Sequence, residues 1–171
     1  MPHTIVEEPY RTMVLVAQCL GLRISEVMAL QWSDFDFANL TVRVQRGIVH
    51  GRVDVVKTEY SNDDLPLDSN LCAILQHWKQ QCPVSPNGWV FPNPTTLKPY
   101  WQESICADHI KPAAVKAGLR TNIGWHTFRH YAGRWTIPGK RRTDSPKPHY
   151  CGLWNFASTA ARHSLGPRFL T

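Results

Sequence analysis

Residues 40–58 read LTVRVQRGIVHGRVDVVKT. Apolar and polar residues alternate from Leu40 to Val49, the period of a strand with one face buried. His50-Gly51 is a turn signal, and Arg52 to Thr58 alternates again. A further short run, DDLPL at 63–67, suits a third strand, with Pro66 marking it as an edge. A small antiparallel sheet is therefore expected across about residues 40–67. The flanking sequence carries helical periods on both sides. The fold class expected is α+β, mainly α, with a small three-stranded antiparallel sheet.

Upstream, Met13 to Leu20 is an almost unbroken apolar run, as in a helix buried on most sides. Thr4 and Glu7 have capping-box spacing, and Pro9 suits a first turn. Gly21 reads as the C-terminal cap, and Ser25 as the cap of a second helix with Glu26 near its positive end. Downstream, DSNLCAILQHWKQQC (68–82) sets Leu71, Ile74, Leu75 and Trp78 on one face, capped by Asp68 or Ser69. Residues 82–88 form a loop and 89–94 a short extended segment. Residues 100–119 read as a helix interrupted at Pro112 and ended by Gly118, and HTFRHYAGRW begins another.

With 171 residues and 43% hydrophobic content, the chain suits one folded domain. No apolar run reaches the roughly 20 residues a bilayer span needs, and the acidic N-terminus is no signal peptide. No membrane and a cytoplasmic location are expected. The five cysteines are scattered without a C-x-x-C pair, which argues against disulfides or structural zinc. The net charge of +6 sits in the tail: residues 1–135 are nearly balanced, while 136–171 add four prolines, a basic cluster and one acid, Asp144. That tail reads as poorly ordered. Domain organisation is thus 1–135 as the folded body and 136–171 as a divergent basic tail.

Several polar residues interrupt this core-like pattern. Arg23 lies in a tight connection between Leu22 and Ile24 and needs an anionic partner; Glu26, three residues on, is the plain one. Lys57 ends the second strand, where a solvated edge lysine is common. His126, Arg129 and His130 crowd one short helix. Zinc is a poor fit, because Thr127 follows the first His and Arg129 would repel a cation. A core His beside a surface Arg is the plain reading. The sharper one is an anion site, in which guanidiniums, imidazoles and an ammonium converge on a phosphate.

GLRISEVMALQWSDFD (21–36), VKTEYSNDDLPL (56–67) and GWHTFRH (124–130) occur in the order and spacing of the tyrosine recombinases, or phage integrases. The chain resembles their catalytic domain from about residue 5 to 135. The resemblance implies a site-specific DNA recombinase that cuts and rejoins strands through a phosphotyrosyl intermediate. It implies the catalytic set Arg23, Lys57, His126 and Arg129. Arg23 and Arg129 would bind the phosphate oxygens with Lys57, which would also protonate the leaving 5′-oxygen. His126 would help deprotonate the attacking tyrosine, His130 would be structural, and Glu26 would orient Arg23 or its helix. No cofactor and no metal are implied. The partners implied are double-stranded DNA and other recombinase protomers.

Two departures from the family pattern set further expectations. The chain begins just ahead of the early helix, without the separate helical clamp that family members carry. After Trp135 no Leu-Gly-His-like element or following helix with its tyrosine is found: SLGP at 164–167 lacks the His, and Tyr150, in KPHYCG, is the only later tyrosine. A change of reading frame would produce such a tail. Impaired strand cleavage is expected, and the alternative is a DNA-binding or recombinase-interacting remnant without chemistry.

Overall fold

Helix α1 spans Tyr10–Leu20. Its residues 13–17 are all at most 2% exposed, so the helix runs through the middle of the core. Glu8 rather than a distant side chain serves its first turn, accepting the Thr12 N–H (3.2 Å) and pairing with Arg11 (3.1 Å). Gly21 ends α1 with φ of 67°, a left-handed conformation that glycine takes without a Cβ clash. Three residues later α2, Ile24–Met28, begins. Its cap is Arg23, not the expected Ser25, which lies within the helix. The reason is local: the Glu26 carboxylate reaches back to the Arg23 N–H at 2.7 Å, half of a capping box.

The computed structural model describes residues 6–55, 64–117 and 123–130. The expectations for Thr4, Lys57, Gly118, Tyr150 and the 136–171 tail lie outside these described residues.

The three-stranded antiparallel sheet is present, with different membership. Its strands are β1 (Phe35–Asp36), β2 (Thr41–Val42) and β5 (Leu65–Pro66), in the order β1-β2-β5. Pro66 does lie on an edge strand. The other two strands, β3 (Arg46–Val49) and β4 (Arg52–Val55), form a separate hairpin. The alternating run 40–49 is thus cut in two. Asp34 explains the cut. Its carbonyl takes the Arg43 N–H (2.9 Å) and its carboxylate takes Arg46 Nη1 (3.0 Å), which also donates to Gln31 Oε1 (2.6 Å). The Arg43 bond carries the β1–β2 pairing one residue further in register, and the Arg46 side chain then ties the start of the hairpin to the turn at Trp32–Asp34. The hairpin turn His50-Gly51 has φ of 50° and 75°, the positive values that a two-residue type I′ connection requires.

Helix α3, Ser69–Gln81, is capped by Asp68, which accepts from Asn70 and Leu71 N–H (2.9 and 3.3 Å). It buries Leu71, Cys72, Leu75 and Trp78, while Ile74 is only partly covered. Residues 102–116 are helical throughout, as α4 (Gln102–Ser104), a π turn (Ile105–Ile110) and α5 (Lys111–Lys116). Pro112 does not break the helix. It has no N–H and its ring crowds the carbonyl four residues back, and the wider turn just before it gives the room. Helix α6, Trp125–His130, packs on α1, with Phe128 fully buried. Among the described residues no helix is long and apolar enough to cross a membrane.

Candidate functional site

The packing of α6 on α1 decides where the site lies. Arg23 follows α1 directly, and His126 sits on α6, so the two meet at one end of the helix pair. Both line an open cleft of about 560 Å³, together with Ser25, Gln102, Cys106 and Lys111.

Each wall is held by identifiable bonds. The sharp turn at Gly21 places Arg23 in extended backbone (φ −71°, ψ 152°) at the mouth of α2. Its guanidinium is half exposed and donates to Glu26 at 3.2 Å, while the Glu26 carboxylate is nearly buried. The plain reading of Arg23, an ion pair with Glu26, is met. Arg23 also lines the cleft, and among the described residues its guanidinium has no protein acceptor besides Glu26.

On the opposite wall, Thr127 fixes the start of α6: its hydroxyl accepts the Gly124 N–H (3.2 Å), and its own N–H donates to the Gly124 carbonyl (2.9 Å). Trp125 Nε1 donates to the Gln102 carbonyl (3.2 Å), tying α6 to α4. Its ring meets Phe128 edge to face, with centroids 5.6 Å apart. These bonds leave His126 exposed on the cleft wall. Arg129 lies one turn further along α6. Lys57 is outside the described residues; β4 ends two positions before it.

The cleft also contains residues that sequence reasoning missed. Lys111 and Glu103 both line it. A hydrogen bond from the neighbouring Gln102 side chain holds the Glu103 carboxyl below its ordinary value, so it is ionised at neutral pH. Burial pushes the Cys106 thiol up, and the Lys111 ammonium nearby pulls it the other way. A larger hollow, about 620 Å³, lies beyond Gln102 and Glu103, against the His50-Gly51 turn and Trp101. Neither Arg23 nor His126 lines it. Among the described residues no three His, Cys, Asp or Glu side chains gather as a metal site.

Cations on two walls and a histidine beside them make the cleft suited to an anionic oxygen cluster. Comparison with known proteins bears on the family and the fold. Residues 3–139 match the sequence pattern described as the phage integrase family. Among solved structures, the Tn1549 transposon integrase (residues 82–397) in complex with circular intermediate DNA superposes with a TM-score of 0.61 at 18% identity. That match covers 74% of this chain and 47% of that one. A variant of the same integrase in complex with transposon right end DNA matches at 0.61 and 19% identity, over 90% of this chain and 58% of that one. The chain spans about half the length of these structures. A comparison with curated protein sequences finds no match.

Proposed function

The chain belongs to the phage integrase family, and on that footing we propose that its cleft binds one phosphate of duplex DNA as the catalytic domain of a site-specific recombinase. The observation that carries the reading is the convergence of Arg23 and His126 on one cleft, with Arg129 on the same helix as His126.

The roles follow from the chemistry of strand exchange. A tyrosine oxygen attacks phosphorus, the P–O5′ bond breaks, and a 5′-hydroxyl later reverses the step. Negative charge builds on the non-bridging oxygens in between. Arg23 and Arg129 bind those oxygens with forked donors, and losing one such donor costs on the order of 100- to 1,000-fold in rate. Lys57 gives its proton to the departing 5′-oxygen. His126 draws the proton from the tyrosine, whose ordinary pKa near 10 leaves it a poor nucleophile at neutral pH. No cofactor or metal enters this scheme. The protein acts on chromosomal or mobile-element DNA in the cytoplasm, beside other recombinase protomers.

The sequence after Trp135 departs from the family pattern, so strand cleavage by this chain is impaired. The same departure favours a second reading, a remnant that holds DNA or a recombinase protomer without chemistry. A duplex carrying a nick beside the cleavage site separates the two, because the small leaving fragment diffuses away and traps any phosphotyrosyl product. A faint covalent band lost in Tyr150→Phe identifies an impaired enzyme with that nucleophile. Salt-dependent binding with no covalent species identifies the remnant. A strong covalent band overturns the impairment, and no DNA binding at all overturns the cleft's assignment.

A further inference from the structure

The helix at 102–116 contains an anomaly whose effect falls on the cleft. Gln102 and Cys106 line it, four residues apart, as one face of an α-helix would. Continued at that spacing, the next residue on the face would be Ile110. It is not: Ile110 is fully buried, and Lys111 lines the cleft instead. The core side shows the same shift, since Ile105 and Ile110, five apart, are both buried.

The cause is the π turn. The Lys111 N–H donates to the Cys106 carbonyl, five residues back instead of four. One extra residue in the turn rotates every later side chain by about 100° about the axis. Pro112, which an unbroken α-helix would not accept, stands directly after it.

The charges in the cleft give this rotation a consequence. Glu26 offsets Arg23 at 3.2 Å, and Glu103 brings a second ionised carboxylate. Without Lys111 the described side chains at the cleft would set Arg23, already offset by Glu26 behind it, against the Glu103 carboxylate, a poor receptor for a phosphodiester. Lys111 is exposed, and among the described residues it forms no ion pair.

We propose that the π turn at 105–110 aims Lys111 into the cleft as a phosphate-binding residue for the DNA strand held there. The proposal rests on the reading of the cleft as a DNA-phosphate site. Lys111 binds as a point charge with rotatable donors, and it contacts the scissile phosphate or the one next to it.

The test is the salt dependence of binding to a duplex of about 30 base pairs, measured by fluorescence anisotropy for the full chain. A lysine that neutralises one phosphate contributes about 0.9 to the slope of log K against log salt. Lys111→Ala is expected to lower the slope by about that amount and to weaken binding several-fold on any sequence. Lys111→Arg is expected to keep both. Lys116→Ala, on the same helix but away from the cleft, controls for overall charge and is expected to leave the slope unchanged. Arg23→Ala reports on the cleft itself. If Arg23→Ala lowers the slope and Lys111→Ala does not, the assignment of Lys111 is wrong while the cleft's survives. Equal losses in Lys111→Ala and Lys116→Ala also overturn it, because they show general charge and no contact. If the wild-type chain binds no DNA, both readings fall together. Circular dichroism of each variant confirms that the fold is retained, as expected for exposed side chains.

Discussion

Removing Glu26 and removing Arg23 break the same ion pair, and the structure predicts very different costs. The Glu26 carboxylate makes two bonds, one to the Arg23 backbone N–H at 2.7 Å and one to its guanidinium at 3.2 Å. The first satisfies an orphan amide at the start of α2 from a nearly buried carboxylate. A charge-assisted cap of that kind contributes about 1–2 kcal/mol. The second joins a guanidinium that is half in water, and such pairs contribute about 0–1 kcal/mol, less in salt. Glu26→Ala loses both and is expected to cost about 2 kcal/mol. Arg23→Ala keeps the backbone bond and is expected to cost at most about 0.5 kcal/mol. In a chain of 171 residues these become about 4–8 °C and about 1–2 °C of Tm. Glu26→Gln keeps an oxygen for the amide and should fall between. Thermal unfolding followed by circular dichroism, at low and at 0.5 M salt, reads all three. The gap between Glu26→Ala and Arg23→Ala should persist in salt, because a capped amide is not screened as an exposed pair is. Equal destabilisation by the two alanines would refute the reasoning, since the ion pair and not the cap would then carry the stability. If it holds, Arg23 is held in place by its neighbour and is itself free to serve a ligand.

Phe128→Ala empties a fully buried ring site between α6 and α1 and is expected to cost about 3–5 kcal/mol in urea unfolding, with DNA affinity lost as His126 loses its support. Gly21→Ala places a Cβ at φ of 67° and is expected to cost about 1–2 kcal/mol, measured the same way. Asp34 gives a pH dependence of unusual sign. Burial raises its pKa above the ordinary 3.8, partly offset by the Gln31 amide and Arg46, so the folded state holds the proton more tightly than the unfolded one. Its contribution is fully present below pH 3.8 and is lost as pH rises through the raised value. The difference in urea midpoint between wild type and Asp34→Asn, followed from pH 3 upward, should therefore move against the wild type as pH rises; a difference that is flat or moves the other way contradicts the assignment.

The helices, the hairpin turn and three family motifs were legible in the sequence because each rests on a local rule: apolar period, His-Gly between alternating runs, a carboxylate three residues after an arginine. What was not legible depended on a bond between distant segments or on a change of period. Asp34 holds Arg43 and Arg46 across the turn, and no alternation reveals that the run 40–49 will be divided by it. Serine is the commoner acceptor, so the letters alone place the cap of α2 at Ser25. Glu26 supplies the acceptor in its place, and that shifts the start of the helix to Arg23. Lys111 is the clearest case. Counting in steps of 3.6 from Gln102 and Cys106 turns it away from the cleft, and only the five-residue bond to Cys106 turns it back. The letters do hold a warning, since Pro112 in mid-helix predicts an interruption. The physical alternative to breaking a helix at proline is to widen the turn before it, and a widened turn keeps the helix while changing which side chains share a face. Here the widened turn lies just before Pro112, and counting one residue more across it reaches Lys111, which lines the cleft.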